Sequence, residues 1–229
     1  MNGSAEAAVV ERDAVVFPPP GVRVVVFDVV GTLIEPTPPV AEAYGLAAAG
    51  HGVLVEPEEI RRRFRAAWRT QEAVDAAATP AFATSREREA RRWRAIVDEV
   101  FAGVGAAEDI FAELWRHFGT VEAWGAIDRG RNLVRAAIDA GVTVALASNF
   151  DERLLAIAGA IEPLSWVPHV FASSEIGWRK PAPEFFRALE ERLECRPEET
   201  LLVGDDPDLD VRAARRAGWH ALAVGGATA

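Results

Sequence analysis

Four short apolar runs in the second half of the chain, VTVALA (142–147), HVFA (169–172), TLLVG (200–204) and HALAV (220–224), alternate with segments of helical period. That alternation constrains the fold more than any other feature. Strands separated by helices of about ten residues connect by right-handed crossovers, and the result is a parallel sheet. The helices are expected around 129–140, 151–160, 182–194 and 207–217, the last stopped at Gly218. A fifth run, VRVVVF (22–27), stands far upstream. Its β-branched residues lack polar alternation, which suits a strand covered on both faces.

Residues 40–120 differ in character and read as helical. Glu56-Pro57 opens one helix with proline at its first position, and Ile60, Phe64 and Trp68 share a face. Thr84 and Glu87 have capping-box spacing. The apolar stripe that follows is Trp93, Ile96, Val97, Val100 and Phe101; another is Ile110, Phe111, Leu114, Trp115 and Phe118. The predicted class is α/β. A Rossmann-like parallel core spans 21–36 and 128–229, with helices on both faces. A helical subdomain is inserted over 37–127, and 1–20 form a loose arm. Pro36–Pro39 and the region 124–129 are the expected hinges.

Composition removes several classes of function. A net charge of −10 disfavours a nucleic-acid or anionic-membrane surface. No uncharged run reaches the roughly 18 residues of a membrane span. Glu6, Glu11, Arg12 and Asp13 are unlike a signal peptide, and a single cysteine, Cys195, allows neither an intrachain disulfide nor a cysteine zinc cluster. A cytoplasmic protein, monomer or homodimer, is expected. The 25 basic residues include one lysine only, Lys180.

In parallel α/β sheets ligands sit beyond the C-terminal strand ends. The first strand ends in Asp28, followed by the turn at Gly31 and Thr32. The next ends in Ser148-Asn149, Arg179-Lys180-Pro181 opens a later helix, and the fourth strand ends in Gly204-Asp205-Asp206-Pro207-Asp208-Leu209-Asp210. Crowded carboxylates need neutralising, and a hard cation such as Mg²⁺ takes oxygen ligands. Together they suit a phosphate ester. Plainer readings stand beside these. Asp206 or Ser148 can cap the helix that follows it, and Asp28 can be a turn residue. Lys180 resists a plain reading: it supplies a compact ammonium where 24 other basic residues are Arg.

These residues, over about 22–225, resemble the haloacid dehalogenase superfamily of hydrolases. FDVVGTL resembles its first motif, LASNF the second, WRKPAPEFF the third and LLVGDDPDLD the fourth. The inserted helices resemble the helical cap of its first subgroup. SNFDERL, EIGWRKPAPEFF and GDDPDLDVRAARRAGW look like the proteins named haloacid dehalogenase-like hydrolase domain-containing. The resemblance implies Asp28 as nucleophile and Lys180 as the group stabilising charge on it. It implies Ser148, Asn149 and Lys180 around a phosphoryl group, Mg²⁺ on Asp28, Asp205 and the Val30 carbonyl, and Thr32 and Asp210 in support. The partner implied is a small phosphorylated, anionic substrate. One position departs. Phosphatases of this superfamily carry a second Asp two residues after the nucleophile, to protonate the leaving group; here it is Val30. The function expected is a Mg²⁺-dependent phosphohydrolase with weakened or altered activity. A non-catalytic binding or regulatory protein and a 2-haloacid dehalogenase are the alternatives.

Overall fold

The computed structural model describes residues 17–225. Residues 1–16 of the expected arm lie outside the described residues. The end of that arm is not loose: Pro18 is buried, and Phe17 packs against the main core.

The core is a five-stranded parallel sheet. In chain order its strands are β1 (Val24–Phe27), β4 (Thr143–Ser148), β5 (His169–Ala172), β6 (Thr200–Gly204) and β7 (His220–Ala223), arranged β5-β4-β1-β6-β7. All four residues of β1 are buried, as its unbroken apolar run requires. Successive side chains face opposite ways. Val25 and Phe27 join one apolar cluster, with Val134 of α5 (Asp128–Asp139) and Leu154 of α6 (Arg153–Ala158). Val24 and Val26 join a second, with Phe185 and Phe186 of α8 (Pro183–Leu193) and Ala213 of α9 (Ala213–Arg216). A short helix, α7 (Ser173–Ile176), follows β5, and a π-helical turn over Pro207–Arg212 leads into α9. The fold is thus a Rossmann-like sheet between two helical layers.

After β1 the chain steps out to β4 and β5, then returns to the other side of β1 as β6 and β7. The change of direction falls at β1, which makes its C-terminal end the natural crevice.

Four helices lie between β1 and α5: α1 (Val40–Gly50), α2 (Pro57–Ala77), α3 (Arg86–Val100) and α4 (Ala107–His117). Their apolar faces meet in a separate core around Tyr44, Ile60, Ile96, Phe101 and Ile110. The expected cap of α3 is displaced by one residue. Ser85 is the N-cap, and its hydroxyl accepts the Arg88 amide, while the Thr84 hydroxyl donates to Glu89. The two linkers of the insertion pair as a short antiparallel ribbon, β2 (Ile34–Pro36) with β3 (Trp124–Ala126). Sequence period gave no sign of it, because strands of three residues carrying Pro36 and Gly125 show no alternation. A third tie joins the layers: the α2–α3 loop bridges the core through Ala83 and Trp178, and Thr84 and Arg179 donate amide bonds to Gly177 and Phe82.

Candidate active site

Parallel pairing aligns the strand ends. Phe27 stands level with Leu146 of β4 and Val203 of β6. Residues one or two steps further on, Asp28, Ser148 and Asp205, therefore gather beyond the C-terminal ends of the strands. The Asp28 amide continues the ladder by donating to the Val203 carbonyl at 2.9 Å.

Lys180 lies at the centre. Its Nζ donates to Asp28 Oδ1 and to Asp210 Oδ1, both at 2.6 Å, and it is 2% exposed. The Ser148 hydroxyl donates to Asp28 Oδ1 at 3.2 Å. Asn149 fixes the lysine backbone from both sides: its Nδ2 donates to the Lys180 carbonyl at 3.0 Å, and its Oδ1 accepts the Lys180 amide at 2.8 Å. Thr32 donates to Asp205 Oδ1 at 3.1 Å, and Asp210 Oδ2 accepts the Asp206 amide at 3.0 Å. Asp206 itself caps the π-helical turn, accepting from the amides of Asp208 and Leu209. The plain reading of Asp206 was therefore sufficient, and Asp205 is left free for the site.

Two glycines make the packing possible. Gly31 has φ +87°, and a Cβ there would strike the Asp205 carboxylate. A Cβ on Gly204 would strike Asp210.

Oxygens of Asp28, Asp205 and Asp210 lie within 4.8 Å of one another. Against three carboxylates stands one ammonium. With all four charged, the cluster is net negative. Burial is the main cause of the protonation tendencies of the carboxylates, and their mutual repulsion adds to it. Asp28 is raised to about 7, chiefly by burial, which outweighs the downward pull of Lys180, and Asp210 adds to the rise. Burial also raises Asp205, against the hydrogen bond from Thr32. Burial opposes the charge on Lys180, but Asp210 and Asp28 outweigh it and raise its pKa. The three carboxylates against one ammonium, the all-oxygen donors and a Val30 carbonyl that accepts no backbone amide among the described residues fit a hard divalent cation.

The expected site residues Asp28, Ser148, Asn149, Lys180, Thr32, Asp205 and Asp210 thus form one connected cluster. Val30 is half-buried at its edge. The histidines of the insertion lie apart: His51 pairs with Glu113 at 3.1 Å, and the His117 ring packs on Phe118. Trp124 lines the cleft over the site, while Trp178 packs into the second core cluster instead.

One group of buried charges escaped the sequence. Arg179, beside Lys180, is 2% exposed and donates to both oxygens of Glu89 at 2.6 and 2.8 Å. Asp75 and Glu72 lie 3.6 and 3.5 Å away and also bind Arg92. The third motif therefore carries two adjacent cations. One faces the carboxylates of the site and the other holds the insertion.

A family model described as haloacid dehalogenase-like hydrolase matches residues 22–218. The chain belongs to the haloacid dehalogenase-like hydrolases. It is 30% identical over 211 residues to human haloacid dehalogenase-like hydrolase domain-containing protein 3, covering 90% of this chain and 82% of that protein. It is 36% identical over 120 residues to a phosphoserine phosphatase of Thermus thermophilus, covering 52% of this chain and 45% of that one. Among solved structures, a defluorinating L-2-haloacid dehalogenase superimposes with a TM-score of 0.67 at 21% identity, over 87% of this chain and 80% of the other. A Bacillus subtilis HAD-hydrolase, YfnB, bound to magnesium, gives 0.64 at 18%, over 87% of both. At these identities the structures speak for the fold alone. As a member of this hydrolase family, the chain brings the four motif segments together at the C-terminal ends of its strands. Among the described residues no helix is long and apolar enough to cross a membrane.

Proposed function

We propose that this member of the family is a Mg²⁺-dependent phosphohydrolase. It acts through an aspartyl-phosphate on Asp28, with small anionic substrates whose leaving group departs with little protonation. The carrying observation is the buried Asp28–Lys180–Asp210 arrangement with Asp205 beside it. A lone pair of Asp28 attacks phosphorus, and the bond to the leaving oxygen breaks. Lys180 stays charged throughout and balances charge on Asp28 and on the phosphoryl oxygens. Ser148 and the backbone amide of Asn149 orient those oxygens. Water then attacks phosphorus, inorganic phosphate departs, and Asp28 is regenerated. Asp28, Asp205 and the Val30 carbonyl would hold Mg²⁺, with Asp210 in support. Bound there, the ion supplies positive charge to the phosphoryl oxygens and to the cluster.

Val30 sets the limit of this chemistry. It cannot pass a proton, and losing a general acid–base costs roughly 10²–10⁴ in rate. The acidic fourth motif, with Asp205 and Asp210 at the site, favours phosphoryl transfer over dehalogenation.

The test is phosphate release from acetyl phosphate, p-nitrophenyl phosphate and an alkyl phosphate, glycerol 3-phosphate, with Mg²⁺ and with EDTA. Mg²⁺-dependent turnover is expected, abolished in Asp28→Asn. Val30→Asp should raise turnover of an alkyl phosphate by roughly tenfold or more. Turnover in Val30→Asp alone would instead assign a binding role to the natural protein. Inactivity of both would end the phosphatase reading, and halide release from 2-chloropropionate would replace it with dehalogenation.

A further inference from the structure

The insertion and the C-terminal ends of the strands border an open cavity of about 450 Å³, within the range of small-molecule sites. Its floor is Val30, two residues from Asp28, and Asn149, whose side chain holds Lys180. Its walls are aromatic. Phe64, Trp68 and Trp93 follow one another with ring centroids 6.1 and 5.8 Å apart, and Trp124 faces Phe150 at 5.7 Å. The charged groups at its lining are mostly engaged elsewhere. Arg153 is bound by Asp151 and the Trp115 carbonyl, and Arg65 lies 3.6 Å from Glu58. Arg65 and Arg69 are exposed, so they belong to the rim. A sugar or amino-acid leaving group would strand its polar atoms against these walls.

We propose that the cavity is the leaving-group subsite and that the substrate is an aryl phosphate monoester, with the phosphate at Asp28 and the ring among the tryptophans. The inference rests on the phosphohydrolase reading above. Two independent features meet in it. The walls suit an aromatic ring, and Val30 suits a leaving group that needs no acid. A phenol ionises near pH ~10, far below an alkyl alcohol, so its oxygen departs as the anion. Asp28 bonds to phosphorus as the aryl P–O bond breaks, and the electron pair leaves on the phenolate. Water hydrolyses the acyl phosphate, and the proton it gives up reaches the phenolate through solvent. Ester and water become phenol and inorganic phosphate.

The experiment compares kcat/KM of the Mg²⁺-loaded protein for phenyl, 1-naphthyl and 1-naphthylmethyl phosphate, with acetyl phosphate alongside. Phenyl and naphthyl leaving groups are similar in acidity, so their ratio reads the cavity. A preference of about tenfold or more for naphthyl is expected from the extra apolar area. The naphthylmethyl ester keeps the ring but leaves as an alkoxide, and should be at least about 10² slower. Trp68→Ala should shrink the naphthyl-to-phenyl ratio and weaken binding of 1-naphthol by calorimetry; Trp93→Leu repeats the test with a milder change. Turnover of acetyl phosphate with no naphthyl preference, or with the naphthylmethyl ester equally fast, overturns the aryl assignment alone. No phosphate from any substrate, acetyl phosphate included, overturns the phosphohydrolase reading and this one with it.

Discussion

Lys180 is the residue on which the charge balance of the site depends. An ammonium is compact and can sit between two carboxylates at 2.6 Å each, in a space closed to solvent. A guanidinium is a planar fork and needs carboxylates set apart to match it. Lys180→Met should therefore destabilise the metal-free protein by about 3–5 kcal/mol, because Asp28 and Asp210 are left buried without a counter-charge. Lys180→Arg should recover little of that. Urea unfolding midpoints decide it: a wild-type midpoint in Lys180→Met would mean that the cluster carries no such strain. The sequence made this residue visible because it is the one lysine among 25 basic residues. Asp28, Ser148 and Asp205 were visible because strand ends are where α/β sheets bind. Glu89, Asp75 and Arg179 were not. They are drawn from 35 acidic and 25 basic residues, and their spacing does not distinguish a buried charge from a solvated one.

At the scale of elements, strands were legible and their connections less so. Runs such as TLLVG map onto β6 residue for residue, since a strand buried on both faces leaves little room for polar side chains. The Ser85 cap is a local contact, masked by Thr84 beside it; the β2–β3 ribbon depends on contacts that close only in three dimensions. The same holds for the clamp between α2, α3 and the third motif. Glu89 is 1% exposed and receives Arg179 on both oxygens, with Thr84 on one of them. Breaking a buried pair from one side costs about 3–5 kcal/mol. Glu89→Gln should show a loss of that order in chemical denaturation. Glu89→Gln with Arg179→Met should cost less than the sum of the single changes, because the second removes the charge that the first strands. Additive losses would contradict a direct pair. The clamp also bears on movement. The insertion is joined to the core by the β2–β3 ribbon and again beside Lys180, so a swing about the two linkers alone would have to break this buried network.

At the scale of the whole molecule, charge is the quantity that links fold to function. The chain carries −10 overall, and the described site gathers three carboxylates against one ammonium at the end of the central strand, under a largely apolar roof. Folding thus assembles repulsion at the place where backbone, glycines and strand register leave the carboxylates no retreat. A ligand that binds the folded form alone stabilises it by mass action. Mg²⁺ at a hundredfold excess over its Kd should add about 2.7 kcal/mol, which for a chain of this size is a Tm rise of roughly 5–10 °C. EDTA should reverse the shift. Asp205→Asn removes one of the three carboxylates without emptying space, so it should raise the metal-free Tm and abolish the response to Mg²⁺ together. The opposed directions separate the two effects. A general ionic-strength effect would raise both proteins alike, and NaCl at matched ionic strength would reproduce it. If the Mg²⁺ response survives in Asp205→Asn, the cation is held elsewhere on this acidic surface and the cluster at β1 is not its site.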